Sequence, residues 1–164
     1  MAAIEAPSSR TTDDAVEKIL TSFDTSYAWR YDSVKDGLRD LYEKAKREQW
    51  NSTTTLAWST PVDPESEILP HATNPLESFD GFRKLSDKEK TRVRHAQVAL
   101  QLSQFLHGEQ GALIVASQLV AAVPWIDAKY YAGTQTMDEA RHVEVFSRYV
   151  HEKLEELVAK LAET

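Results

Sequence analysis

Hydrophobic residues recur at helical spacing in two long stretches on either side of Pro124-Trp125. Apolar residues three, four and seven positions apart form one face of a helix, so residues 86–161 predict two long helices joined at this proline. A short connection makes two helices antiparallel neighbours. The stripe of the first helix comprises Leu102, Phe105, Leu106, Ala112, Leu113, Ala116 and Val120; that of the second comprises Ala132, Gln135, Val143, Phe146, Tyr149, Val150, Leu154, Leu157 and Leu161.

The start of the first long helix is marked by Ser86-Asp87-Lys88-Glu89. Ser-x-x-Glu is the pattern of a capping box, in which two side chains satisfy backbone amides that a helix start leaves without partners. The first long helix is therefore predicted to begin at this serine.

The chain before Ser86 predicts shorter elements. Residues 1–12 are small and polar and predict a disordered tail, whereas residues 13–164 form one predicted helical domain. Within that domain we expect a short helix over 13–23 and a second helix over 33–49. Residues 51–85 are rich in Thr, Pro, Asp and Ser and predict a long irregular wrap whose aromatic side chains dock on the helices.

Two glutamates stand at mirrored positions about the turn. Glu109 lies 15 residues before Pro124, and Glu139 lies 15 residues after it. At the rise of an α-helix, each is about 22 Å from the turn, so the two carboxylates are expected to face each other. Both fall on the apolar stripes rather than on polar faces.

His142 follows Glu139 by three residues and therefore shares its side of the helix. Glu-x-x-His by itself is a weak motif, because chance matches are frequent. Two carboxylates and an imidazole in one apolar layer nevertheless require a counter-charge, since burying an unpaired carboxylate is costly. A divalent metal ion is the natural candidate, and a buried hydrogen-bonded cluster is the alternative.

The remaining histidines are better explained without a ligand. His71, His95, His107 and His151 are expected at the surface, His107 because it points away from Glu109. The acidic residues of the second predicted helix, Glu43 and Glu48, have charged neighbours and predict a solvated face.

Composition narrows the class of protein. The net charge of −7 and the 27% of charged residues argue against nucleic acid as the main partner. The absence of Cys excludes disulfides and thiolate ligands and fits a cytoplasmic protein. The first ten residues lack the apolar core of a signal peptide, and the longest apolar run is too short to span a bilayer.

The segment Glu109-Gln110-Gly111-Ala112, followed thirty residues later by Asp138-Glu139-Ala140-Arg141-His142, resembles the first half of the ferritin-like di-iron carboxylate proteins. The likeness is to the oxygenase branch, which includes ribonucleotide reductase small subunits, bacterial multicomponent monooxygenases and p-aminobenzoate N-oxygenase-like proteins. Residues 46–51 also look like the N-terminal region of such proteins. The resemblance implies an all-α four-helix bundle that holds two irons, or iron and manganese.

Carried over by motif, the resemblance implies a role for each residue. Glu109 would be a single-glutamate ligand, Glu139 would bridge the metals, and His142 would bind one of them. Asp138 would accept the N–H of a metal-bound histidine and Arg141 would pair with that aspartate. Gln135, on the same face, is counted with these outer residues.

This sequence departs from the family in one important way: it has no second Glu-x-x-His, so it offers half of the ligand set. Self-association that rebuilds the bundle is the favoured explanation. A separate second-half subunit and a truncated fragment are the alternatives.

The activity that the resemblance implies is O₂ activation for the oxidation of a small apolar or aromatic substrate. Two rivals stay open. One is an iron-handling or ferroxidase-type protein without an organic substrate, and the other is a metal-free helical interaction module.

Overall fold

The computed structural model describes residues 22–63 and 74–154, together with residues 20, 65, 66 and 68. The chain is mostly helical, and the described residues contain no β-strand, as the all-α prediction requires. In chain order the elements are α1 (Asp36–Arg47), α2 (Ser52–Thr55), a 3₁₀ turn (Pro75–Ser78), α3 (Asp80–Arg83), α4 (Asp87–Ala122), α5 (Ile126–Tyr149) and a π-helical segment (Val150–Leu154).

The long helix α4 begins where the capping box predicts. The Ser86 hydroxyl accepts from the amide of Glu89, and the Glu89 carboxylate accepts from the amide of Ser86 at 2.8 Å. The helix then runs for 36 residues, about 54 Å, and ends one residue before Val123. The predicted turn at Pro124-Trp125 is therefore confirmed.

Helices α4 and α5 are antiparallel neighbours. Phe105 contacts Phe146, Glu109 contacts His142, and the backbone of Val120 accepts from Lys129, so successive positions along α4 meet earlier positions along α5. Near the turn the contact is close, because the small side chains of Ala116 and Ala132 are both buried there. This pair of helices carries the predicted site.

Helix α1 packs on α5 and confirms the helix predicted over 33–49. Its contact includes a stacked pair of rings, Tyr42 and Tyr130, with centroids 5.2 Å apart. The helix predicted over 13–23 does not extend to its expected end, since Leu20, Ser22 and Phe23 are not helical. The rest of that prediction, like the predicted tail 1–12 and the end of the second long helix after Leu154, lies outside the described residues.

The segment 51–85 is largely irregular where it is described, apart from α2, the 3₁₀ turn and α3. Trp58 within this segment and Trp50 directly before it dock on α5, as predicted. Trp50 lies under the Arg141 guanidinium at 4.9 Å, and Trp58 lies under that of Arg148 at 4.2 Å. Among the described residues, no helix has the length and apolarity that crossing a lipid bilayer requires.

Candidate metal centre

The structure brings Glu109, Glu139 and His142 together between α4 and α5. Nδ1 of His142 lies 3.0 Å from a carboxylate oxygen of Glu139 and 3.3 Å from one of Glu109. One potential ligand atom from each residue lies within 4.8 Å of the others. Glu139 and His142 meet because they are one helical turn apart on α5, and Glu109 joins them because α4 and α5 are antiparallel about the turn.

The three side chains are half-buried rather than buried, which corrects the expectation from the apolar stripes. The exposed fraction is 27% for Glu109, 23% for Glu139 and 44% for His142. One side of the cluster is covered by the contact between α4 and α5, where Phe105 packs against Phe146. Within the part of the chain that the structure describes, the other side of the cluster stays accessible to solvent, as these exposed fractions show.

The donor set suits a divalent transition metal ion. Carboxylate oxygens and imidazole nitrogen together bind iron, manganese and zinc. The imidazole presents Nδ1, not Nε2, to both carboxylates, so this nitrogen either donates a hydrogen bond between them or takes a place beside them on a metal ion. Three protein donors on one side leave further coordination positions for other groups.

Arg141 fixes the rotational setting of α5 next to the cluster. Its guanidinium is almost fully buried, pairs with Asp138, donates to the backbone carbonyl of Trp50 at 2.7 Å and lies over the Trp50 ring. The pairing of Arg141 with Asp138 is the one that the family resemblance implied. Because the Trp50 carbonyl belongs to the chain after α1, this side chain joins α5 to that segment.

A polar cavity of about 350 Å³ opens beside His142 and Glu139, between the end of α1 and α5. Gln135 and Asp138, the outer residues that the sequence indicated, both line it. Its full lining comprises Ala45, Glu48, Gln49, Trp50, Tyr131, Gln135, Asp138, Glu139 and His142. Glu48 is solvated as predicted, with 64% of its side chain exposed, yet it faces the same cavity as the cluster. Only the packing of α1 on α5 reveals that proximity.

The predictions for the other histidines have mixed outcomes. His107 and His151 are exposed, as expected. The prediction for His95 is wrong: only 1% of it is exposed, and its Nε2 lies 3.0 Å from the carbonyl oxygen of Ser66. The wrap covers this face of α4, which a sequence pattern of polar neighbours does not reveal. His71 lies outside the described residues.

Asp127 is a buried charge that the sequence analysis missed. Its carboxylate accepts from the backbone amides of Val34 at 2.9 Å and Lys35 at 3.0 Å, and from the side chain of Arg39 at 2.8 Å. The Val34 amide first of all, with the Lys35 amide and the Arg39 guanidinium, lowers the pKa of Asp127 below its usual value although burial opposes this. Its partners are all at the start of α1, so Asp127 docks that helix rather than acting in the cluster.

Comparison with protein-family models, with curated protein sequences and with solved structures finds no match for this chain. The assignment of a function therefore depends on the geometry of the cluster and on the residues that carry the ferritin-like resemblance.

Proposed function

We propose that this chain is a ferritin-like carboxylate protein that binds iron, or iron and manganese, through Glu109, Glu139 and His142 and uses it to activate O₂. The single observation that supports the proposal most is the convergence of these three donors at mid-height of α4 and α5. The equal spacing of Glu109 and Glu139 from Pro124 predicts this convergence from the sequence alone, and the residue types are those of carboxylate-bridged iron sites.

Each residue has a distinct part in this proposal. Glu109 and Glu139 neutralise the charge of the metal, and His142 supplies the nitrogen donor that faces both carboxylates. Arg141 holds α5 in the rotation that presents Glu139 and His142 to α4. Bound iron supplies reactivity towards O₂, and the open side of the cluster leaves room for exogenous groups.

The substrate that we propose is a small apolar or aromatic compound. Phe105 and Phe146, whose ring centroids are 6.1 Å apart, form an apolar wall close to Glu109 and His142. Phe105 is 48% exposed, so its ring is accessible to a bound compound. An apolar wall on one side and carboxylates on the other would orient such a compound by contact rather than by charge.

One observation favours a second candidate function, the oxidation of Fe²⁺ itself. The cavity beside His142 is lined by the carboxylates of Glu48, Asp138 and Glu139, which would attract a cation rather than an apolar compound. In this case the metal is the substrate, and no organic compound is required.

Metal titration tests the proposal. Chelator-treated protein is titrated with Fe²⁺ without oxygen, and bound metal per chain is measured for the wild type and for Glu139→Gln and His142→Ala. Glu144→Gln is the matched control, because Glu144 is exposed on the same helix. We expect stoichiometric binding by the wild type and the control, and at least a tenfold weaker affinity for the two ligand variants.

Equal binding by all four proteins would overturn the metal site. O₂ uptake then separates the two functions: consumption with Fe²⁺ alone indicates iron oxidation. Consumption that depends on an added aromatic compound indicates an oxygenase.

A further inference from the structure

A second cavity, of about 710 Å³, lies between α1 and α5 on the other side of Gln49 and Trp50 from the polar cavity, since these two residues line both. Its volume is within the range of small-molecule sites, about 300–1,000 Å³. We call it the α1–α5 cavity. Its full lining comprises Tyr42, Lys46, Gln49, Trp50, Asn51, Lys129, Tyr130, Gly133, Thr134 and Met137.

The two neighbouring cavities differ in the sign of their charge. The polar cavity beside His142 is lined by the carboxylates of Glu48, Asp138 and Glu139. The α1–α5 cavity is lined by Lys46 and Lys129, and the described residues of its lining include no Asp or Glu, in a chain of net charge −7. A cleft lined by one sign of charge concentrates small ions of the opposite sign. The α1–α5 cavity therefore favours an anion.

Two side chains of this cavity have hydrogen-bond donors left for an anion. Nζ of Lys46 donates to the Glu43 carboxylate at 2.7 Å, and an ammonium group has three such donors. Oδ1 of Asn51 accepts from the Thr53 amide at 2.9 Å, which leaves the NH₂ group of Asn51 as a donor. Lys129 donates to two backbone carbonyls at the end of α4, so it contributes charge more than a direct contact.

The remaining lining suits flat apolar rings. Its α5 side consists of residues three and four positions apart, which share one face of the helix: Tyr130, Gly133, Thr134 and Met137. Gly133 has no side chain in the middle of this face, so the wall is flat there. Aromatic side chains and the thioether of methionine make favourable contacts with rings. The face extends about 10 Å along α5 from its first to its last residue, which is longer than a single ring.

We propose that the α1–α5 cavity binds a compound of two fused aromatic rings that carries one anionic group. The rings lie over Gly133 between Tyr42 and Met137, and the anionic group accepts from Lys46 and from the side-chain amide of Asn51. A neutral compound of the same shape makes the ring contacts alone, and a cationic one is repelled by the lysines. The inference does not rest on the proposed function, because none of the three candidate metal ligands lines this cavity.

Three indole compounds test the ligand class, because they share one ring system and differ in charge. Indole-3-acetate is an anion at pH 7, indole-3-acetamide is neutral and tryptamine is a cation. Isothermal titration of chelator-treated protein is expected to give indole-3-acetate a Kd of about 1 mM or below, the acetamide a Kd about fivefold higher, and tryptamine the weakest binding. Equal affinity for all three, or no binding of any, would overturn the proposal.

A charge variant tests the role of Lys46. Lys46→Gln is expected to weaken binding of indole-3-acetate about fivefold, because the ion pair that it removes is partly exposed, and to leave binding of indole-3-acetamide unchanged. Lys44→Gln is the matched control, since Lys44 is an exposed lysine of α1 that pairs with Glu48 and does not line the cavity. An equal loss in both variants would mean that net charge acts from a distance, and would contradict a contact with Lys46.

A filled cavity tests the location. A Cβ atom at Gly133 meets nothing within 4 Å, so the side chain of Gly133→Leu enters the cavity without displacing its neighbours. Both indole-3-acetate and indole-3-acetamide are expected to bind at least about tenfold more weakly to it. Gly37→Leu is the control: it adds the same side chain to α1, in equally open space outside the lining.

Circular dichroism checks that both glycine variants keep the helix content of the wild type. Wild-type affinity for indole-3-acetate in folded Gly133→Leu would place the ligand elsewhere and overturn the proposal. The metal site is tested separately: a protein that binds indole-3-acetate but no Fe²⁺ leaves this inference intact and overturns the proposed function. A protein that binds Fe²⁺ at the cluster but none of the indole compounds does the reverse.

Discussion

Nδ1 of His142 lies 3.3 Å from the Glu109 carboxylate, although the two residues are 33 positions apart and belong to different helices. The contact exists because α4 and α5 leave the turn at Pro124-Trp125 in opposite directions and carry their ligands to the same height. A metal ion at this contact would tie the two helices together far from the turn.

Metal binding is therefore expected to stabilise the fold. A ligand that binds only the folded state, at about 100 times its Kd, adds about 2.7 kcal/mol to the free energy of unfolding, which for a domain of this size raises Tm by about 5–10 °C. We expect Fe²⁺ or Mn²⁺ to produce such a shift in anaerobic thermal unfolding followed by circular dichroism.

The same shift should disappear in His142→Ala and persist in His107→Ala. His107 is an exposed histidine on α4, two residues from Glu109, so its loss controls for the removal of any imidazole. A shift of equal size in both variants would contradict binding at the cluster.

Arg141 is expected to contribute more to stability than Arg148, another arginine on α5. Arg141→Lys removes the planar fork that pairs with Asp138 and donates to the Trp50 carbonyl, so we expect a loss of about 2 kcal/mol in the free energy of unfolding. Arg148→Lys changes a more exposed pair with Glu152, and we expect a loss below about 1 kcal/mol.

Urea unfolding of the two variants measures this difference. Because Arg141 sets the rotation of α5, metal affinity is expected to fall in Arg141→Lys and to stay constant in Arg148→Lys. Equal losses of stability would mean that the buried fork of Arg141 has no special role.

The helices and the cluster could be predicted because local patterns determine them. The capping box at Ser86 indicates where one helix begins, and Pro124 indicates the turn. The equal spacing of Glu109 and Glu139 from that turn predicts that their side chains lie close together. These inferences need only helical periodicity and one hinge.

The burial of His95, the role of Asp127 and the proximity of Glu48 to the cluster could not be predicted in the same way. Each depends on contacts between distant segments: the wrap against α4, the start of α1 against α5, and the end of α1 against the cavity. Irregular segments have no periodicity from which such contacts follow. The half-burial of Glu109 likewise depends on how far distant segments of the chain pack against its face of α4.

Asp127 is expected to make stability depend on pH in the acid range. Its pKa in the folded protein lies below its unfolded value, so its contribution is complete above the unfolded pKa, about 3.9. That contribution is lost as pH falls through the folded pKa. We expect Asp127→Asn to lower Tm at pH 7 on the order of 10 °C, and to reduce the further loss of stability as the pH falls below about 4.

Thermal unfolding from pH 7 to pH 2 measures both effects. Asp40→Asn is the control, since Asp40 is exposed on α1 one residue from Arg39, and its Tm at pH 7 should match that of the wild type. An Asp127→Asn protein with the same acid dependence as the wild type would show that other carboxylates govern acid unfolding.

Ser86 is expected to stabilise the first turn of α4, because its hydroxyl accepts from the Glu89 amide in the capping box. Ser86→Ala should cost about 1 kcal/mol in the free energy of unfolding.

Ser103→Ala is the control inside the same helix. There the hydroxyl donates to the Ala99 carbonyl at 2.9 Å, which the helix already uses, and alanine has the higher helix propensity. Its stability should therefore be equal to or above that of the wild type. Because Glu109 lies more than six turns from the cap, Ser86→Ala should bind metal with unchanged affinity below its Tm, and a weaker affinity would mean that fraying at the start of α4 reaches the cluster.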